Sequence, residues 1–164
     1  MTTAYKASDV AGHIINTCIN EEHPIDNVKL QSMLFALQEE QIRRTGRPLI
    51  RDNFEAWATG PVIPDVYNTY KAAGDNNIEQ IQDNCCIDQC DIKWIDPIVH
   101  RLRSMDQGDP ELAYMRANIS VWAKIYDSGF GKGNVIPVSM ITDSVKDSEN
   151  TRTLMRLIKH MCTK

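Results

Sequence analysis

Positive charge is in short supply here: 18 lysines and arginines stand against 22 aspartates and glutamates, for a formal net charge of −4. A chain with that balance has no general attraction to a phosphate backbone. Its densest basic run, Arg43, Arg44, Arg47 and Arg51, is flanked by Glu39, Glu40 and Asp52 and reads as a solvated helix end. Long apolar runs are missing too. No stretch approaches the roughly 18 residues a membrane span requires, and Met1-Thr2-Thr3-Ala4-Tyr5-Lys6 has no apolar signal segment. A cytoplasmic chain that does not enter a membrane is therefore expected. The cysteines number 5, an odd count that reads most simply as reduced thiols.

Chemistry-bearing patterns are equally sparse. Cys85, Cys86 and Cys90, even with His100, lack the two paired ligand sets of a structural zinc site, so no metal is expected and no cofactor is implied. His13, His23, His100 and His160 are scattered, and nothing in the sequence sets one beside a cysteine as the base a thiol nucleophile needs. Gly129-Phe130-Gly131-Lys132-Gly133 has the composition of a phosphate loop. It lacks the spacing between glycines and the Ser or Thr after the lysine, and reads as a flexible connector. No catalytic residue is identified, and the chain is not expected to be an enzyme.

What remains is a helical pattern of a length suited to one domain. Ser8 or Asp9 can cap a first helix whose apolar face is Val10, Ile14, Ile15, Cys18 and Ile19. Asp26 can cap a second, with Leu30, Met33, Leu34, Leu37 and Ile42 turned inward and Gly46 and Pro48 ending it. Leu49-Ile50 and Phe54-Glu55-Ala56-Trp57, with turn residues Asp52-Asn53 between them, predict a small hairpin. Pro64 suits the first turn of a third helix carrying Val66, Tyr67 and Tyr70, closed by Gly74. Ile92, Ile95, Ile98, Val99, Leu102 and Met105 form another stripe, and its helix either starts at Asp96-Pro97 or is kinked there. Asp109-Pro110-Glu111 reads as a further helix start, and Ser120 to Tyr126 as a short helix before the glycine loop. A last helix is expected from about 150 to 162, burying Leu154, Leu157, Ile158 and Met161. The burial available to it is smaller than its ordering entropy, so it must dock on the domain or on a partner.

The most unusual segment runs from Phe54 through Trp57, Gly60, Pro61, Val62, Ile63 and Pro64 to Tyr67. Two prolines, a glycine and paired aromatics make a stiff corner. One reading is internal packing, with Trp57 and Tyr67 filling the core. The other is a preorganised docking edge, since Trp and Tyr dominate binding hot spots and rigidity lowers the entropy lost on association. Both hold if one face is buried and the other is not.

Three blocks of this sequence together resemble the Panacea domain, an antitoxin-associated family with SocA-like and phage GepA-like members. They are Ser8-Asp9-Val10-Ala11, the run from Ile25 through Lys29-Leu30-Gln31 to Ala36, and the Phe54 to Tyr67 segment. Val121-Trp122, Ile136-Pro137 and Ile141 are similar to its weaker C-terminal pattern, although Asn118-Ile119-Ser120 stands where members often carry a histidine. The resemblance covers residues 7–144. It implies a mainly α fold, a single compact helical domain of about six to seven helices with a small β-hairpin near residues 49–57. Residues 1–144 would form the Panacea-like domain and residues 145–164 a C-terminal helical extension packed on it. It also implies a non-enzymatic protein-binding module, either a toxin-neutralising antitoxin or a proteolytic adaptor, associated with phages, prophages or mobile elements. The partner would be a protein, a cognate toxin or a protease substrate. Trp57, Pro61, Pro64, Tyr67 and Tyr70 are then the candidate partner-binding residues. Lys29, Leu30, Gln31, Phe54, Glu55, Gly60, Val62 and Trp122 are the motif residues with structural roles. The alternative is a nucleic-acid-binding regulator of winged-helix-like type that uses the Arg43 to Arg51 cluster.

Overall fold

Apolar residues three and four apart make the first two helices, and each buries its stripe on the other. The computed structural model describes residues 3–105 and 120–162. In α1 (Ala7–Asn20), Val10, Ile14, Ile15 and Cys18 are fully buried. In α2 (Asn27–Thr45), Leu30, Met33, Leu34, Leu37 and Ile42 face inward as expected. Asp26 accepts the Lys29 amide at 2.7 Å at the start of α2, and Gly46 ends it in the left-handed conformation. The expected cap of α1 is corrected. Ser8 and Asp9 lie inside the helix, Lys6 holds the cap position, and its side chain makes no capping bond. The Ala7 amide instead donates to Asp52 Oδ2 at 2.8 Å, from 45 residues away.

The hairpin forms one step later than the turn chemistry predicts. Strand β1 (Phe54–Trp57) turns at Ala58-Thr59 and pairs antiparallel with β2 (Gly60–Val62), Trp57 opposite Gly60. Leu49-Ile50 is not its partner. That run bridges in parallel to Tyr5, with the Tyr5 amide donating to the Leu49 carbonyl at 2.7 Å. Asp52, read as turn chemistry, is engaged by α1 instead. A third strand, β3 (Val135–Ile136), joins the other edge of β1 and gives the antiparallel order β2-β1-β3.

Helix α3 (Pro64–Tyr70) begins on its proline and ends in a single 3-10 turn, Lys71–Ala73. Helix α4 (Gln89–Arg103) runs through Pro97. Proline removes one donor from the ladder, and because Lys93 and Pro97 are both exposed, water can serve the carbonyl that loses its partner. Helix α5 (Ser120–Tyr126) packs on β1, β3 and the last helix. The following loop returns so closely that a side chain at Gly131 would sit 1.7 Å from the Ile125 carbonyl oxygen. Helix α6 (Val138–Cys162) starts twelve residues before the expected 150 and passes unbroken through residues 144 and 145. Ile141 and Val145, four apart, bury against the body, while residues 146–150 are exposed all round the helix. Met161, expected to be buried, is 78% exposed. The helix start read at Asp109-Pro110-Glu111 lies outside the described residues.

The fold is thus mainly α: among the described residues, six helices surround one apolar core and a small three-stranded antiparallel sheet lies at the corner between α2 and α3. Phe35 of α2 and Phe54 of β1 meet edge to face at 5.1 Å, and this joins the helical layer to the sheet.

Candidate functional site

Three buried amides of α2 hold the corner in place. Asn27, Gln31 and Gln38 are 3%, 3% and 0% exposed, and on an apolar face such groups persist only when bonded. Gln31 Oε1 accepts the Ile63 amide at 3.0 Å, and its Nε2 donates to Asn27 Oδ1 at 3.1 Å. Asn27 Nδ2 in turn donates to the Tyr67 carbonyl at 3.0 Å. Two turns on, Gln38 Oε1 accepts the Leu49 and Ile50 amides at 2.9 and 2.8 Å, while its Nε2 donates to the Ile50 carbonyl at 3.1 Å. Both segments flanking the hairpin are therefore tied to the same helix. Lys29, on the other side of α2, donates from Nζ to the Arg103 and Met105 carbonyls, each at 2.5 Å, and so closes the C-terminal end of α4.

On this frame stands an aromatic group. Alternation along β1 buries Phe54 and Ala56 and turns Glu55 and Trp57 outward. Trp57 Nε1 donates to Glu55 Oε1 at 3.1 Å, and its ring meets Tyr67 edge to face at 5.0 Å. Trp122 Nε1 donates to the Trp57 carbonyl at 2.8 Å, and the Trp122 ring stacks on Tyr126 at 5.0 Å. All four rings are half-buried, with Val135 (45% exposed) on the same sheet and Phe130 (93% exposed) in the loop after α5. Pro61 and Val62 are buried and offer a partner little surface, whereas Pro64 is half-buried at the start of α3. Tyr70 lies farther along α3, its hydroxyl donating to Gln82 Oε1 at 3.0 Å, and burial holds its phenol above the ordinary range. Beside it a cavity of about 180 Å³ opens between α1 and α3, lined in part by Lys6, Arg51, Asp65 and Tyr70.

The residues that matter most to the frame but escaped the sequence reading are Asn27, Gln38 and Asp52. For Gln38 a signal existed: it falls seven residues after Gln31, on the stripe occupied by Leu30, Leu34 and Leu37, where an amide needs a buried partner. Two of the four arginines in the basic run are engaged within the fold, while Arg47 and Arg51 are exposed. Arg43 pairs with Glu40 and approaches Glu149 Oε1 at 3.9 Å, and the Arg44 guanidinium lies over the Trp94 ring at 5.1 Å. Among the described residues the free thiols are Cys18, which is buried, Cys85, half-buried, and Cys86 and Cys90, both exposed. Among the described residues no cluster of three or more His, Cys, Asp or Glu is placed to hold a metal ion. Nor is any helix among them long and apolar enough to cross a membrane.

Fold and corner together define a small mainly helical domain that holds an aromatic hairpin rigidly at its surface. The family model described as "Antitoxin SocA-like, Panacea domain" matches residues 30–109, just under half of the chain. That span contains the whole Phe54 to Tyr67 corner and most of the Ile25 to Ala36 run, and leaves the Ser8 and Val121-Trp122 blocks outside it. A relative is Antitoxin SocA of Caulobacter vibrioides, 37% identical over 68 residues, which is 42% of this chain. The chain spans about a third of that protein's length, 36%. No solved structure matches this chain at a significant level.

Proposed function

We propose that this protein is a non-enzymatic, antitoxin-like module that acts by holding a protein partner at the Trp57 and Tyr67 corner. The family supports the antitoxin-like role in its coarse form. The observation that carries the docking site is the half-exposed Trp57–Tyr67 pair, set on a backbone that Gln31 and Asn27 already hold from within. Rings fixed before a partner arrives lose little side-chain freedom on association, and Trp and Tyr contribute most per residue at interface centres. Trp57 and Tyr67 are the anchors, Pro64 extends the surface along α3, and the cavity beside Tyr70 has room for one partner side chain. Pro61 shapes the strand from the inside. The partner is a cognate toxin, or a protein delivered to a protease if the module works as an adaptor, and a phage or mobile-element setting suits either. The site would work in the cytoplasm.

The test is co-expression with each small open reading frame adjacent to the gene. A frame that arrests growth alone should be tolerated with this protein, and Trp57→Ala with Tyr67→Ala should abolish rescue while leaving the helical circular dichroism intact. Undiminished rescue by that folded double variant would sink the corner as the docking site. The nucleic-acid alternative has less support, since Arg43 and Arg44 are already engaged within the fold.

A further inference from the structure

Charge is segregated along this chain in a way the antitoxin reading does not use. All 22 carboxylate residues precede position 150, whereas residues 150–164 carry Arg152, Arg156, Lys159 and Lys164 and no acid. Most of that basic stretch is the end of α6. The last residue of α6 buried among those described is Val145, and from there Lys146, Asp147, Ser148, Glu149, Asn150 and Arg152 are exposed. In the sequence Leu154, Leu157, Ile158 and Met161 recur at helical spacing, and Met161 is 78% exposed. A helical stretch of this length is marginal in water without an apolar face to rest on.

The opposite charge lies in one connected element. Residues 72–92 contain Asp75, Glu79, Asp83, Asp88 and Asp91 and no lysine, arginine or histidine. Asp91 is internal, accepting from the Tyr5 hydroxyl at 2.5 Å. The other four are exposed, make no ion pair among the described residues, and flank Ile81, itself 46% exposed. This strap is not a loose loop. The Ile78 amide donates to the Ile25 carbonyl at 2.8 Å, and Gln82 exchanges two hydrogen bonds with the Asn16 side chain at 2.7 and 2.8 Å. Cys85 lies so close to α1 that a methyl at Gly12 would fall 2.1 Å from its Sγ. The strap packs along α1, while α6 packs on α2 and α5.

We propose that the basic end of α6 docks on the acidic strap of a second copy of this chain. The reciprocal contact closes a two-fold dimer in which Met161 covers Ile81 and the four exposed carboxylates of the strap face the basic helix end of the partner, with exposed Arg152 at its start. Charge complementarity selects a second copy: the same chain supplies a rigid acidic strap with an exposed apolar residue and a basic helix end with another. The contact does not depend on the Trp57 corner.

Sedimentation velocity of the full chain tests it. At about 50 mM salt the protein should sediment as a dimer of the 18.6 kDa protomer, and the dissociation constant should rise at least about tenfold at about 500 mM, where exposed charges are screened. Arg152→Glu with Arg156→Glu should weaken association about tenfold or more, and Glu79→Lys with Asp83→Lys should do the same. Joining all four changes should restore it to within about threefold of the parent, because the pairing is then reversed and not removed. Circular dichroism identifies any variant that fails to fold, and the strap pair, at exposed loop positions, keeps the test open if the helix pair does not fold. A monomer at every concentration overturns the proposal. So does a dimer indifferent to salt and to both reversals, a fourfold variant weaker than either pair, or a monomer whose helix reversal abolishes binding to duplex DNA.

Discussion

Gln31 and Gln38 lie two turns apart on α2 and hold two different chain segments, the Ile63 amide on one side of the hairpin and the Leu49-Ile50 backbone on the other. The aromatic corner is therefore positioned by polar bonds inside the core as much as by apolar packing. Replacing Gln38 with Leu preserves approximate volume but leaves two amides and a carbonyl buried without a partner. Each such group costs about 1–3 kcal/mol. Gln38→Leu should lose about 3–5 kcal/mol in urea unfolding, and Gln31→Leu about 1–3.

Trp122 supports Trp57 through a single bond from its indole to the Trp57 carbonyl at 2.8 Å. Trp122→Phe keeps an aromatic ring near Tyr126 and removes only that donor. A loss of about 1 kcal/mol is expected, with a changed near-ultraviolet dichroism from the Trp57 environment. An unchanged spectrum and stability would show that the bond does not position the corner.

Lys29 caps the end of α4 with a charged donor shared between two carbonyls. Lys29→Met retains the aliphatic stem and should cost about 2 kcal/mol, in the range of bonds to charged groups. Amide exchange should accelerate in the last turn of α4 and leave α1 protected.

Burial pushes the Glu39 carboxyl up to about 7, with the Arg43 charge pulling part of the way back. The unfolded chain loses that proton near the ordinary value of about 4.3. Between these values the fold binds a proton the unfolded chain has released, so this group's contribution to stability falls as pH rises from about 4 to 7 and is flat on either side. Glu39→Gln should melt above the parent at pH 8, by about 1–3 kcal/mol of stability, and the gap should close by pH 4. A gap independent of pH would contradict this assignment.

Gly12 lets the strap approach α1. Gly12→Ala places a methyl against Cys85 Sγ and should destabilise by about 1–3 kcal/mol, the usual range for overpacking. It should also raise the labelling rate of the Cys85 thiol, which burial otherwise holds above its ordinary pKa. Adding Cys85→Gly should recover most of the lost stability.

The sequence alone carried the helices with regular spacing and local punctuation: α2 between Asp26 and Gly46, α3 from Pro64, and the inward stripe of α4. Those features arise within a few residues, from amides that need caps, prolines that fix a dihedral and apolar side chains that repeat with the helix. The order of Phe54, Trp57, Gly60, Pro61 and Tyr67 was enough for the family resemblance. It could not say which of them face outward, because Pro61 and Trp57 look equally available in one dimension.

Tertiary structure decided whatever depends on a partner far along the chain. Asp52 reads as a turn residue and is the cap of α1; Leu49-Ile50 reads as a strand and is held by a glutamine. The last helix reads as starting near 150 and instead begins at Val138, where Ile141 and Val145 find the core. In each case the deciding contact is between groups separated by eleven or more positions. Local propensity is blind to such contacts, because the free energy of a buried hydrogen bond or apolar face exists only once the chain has folded around it.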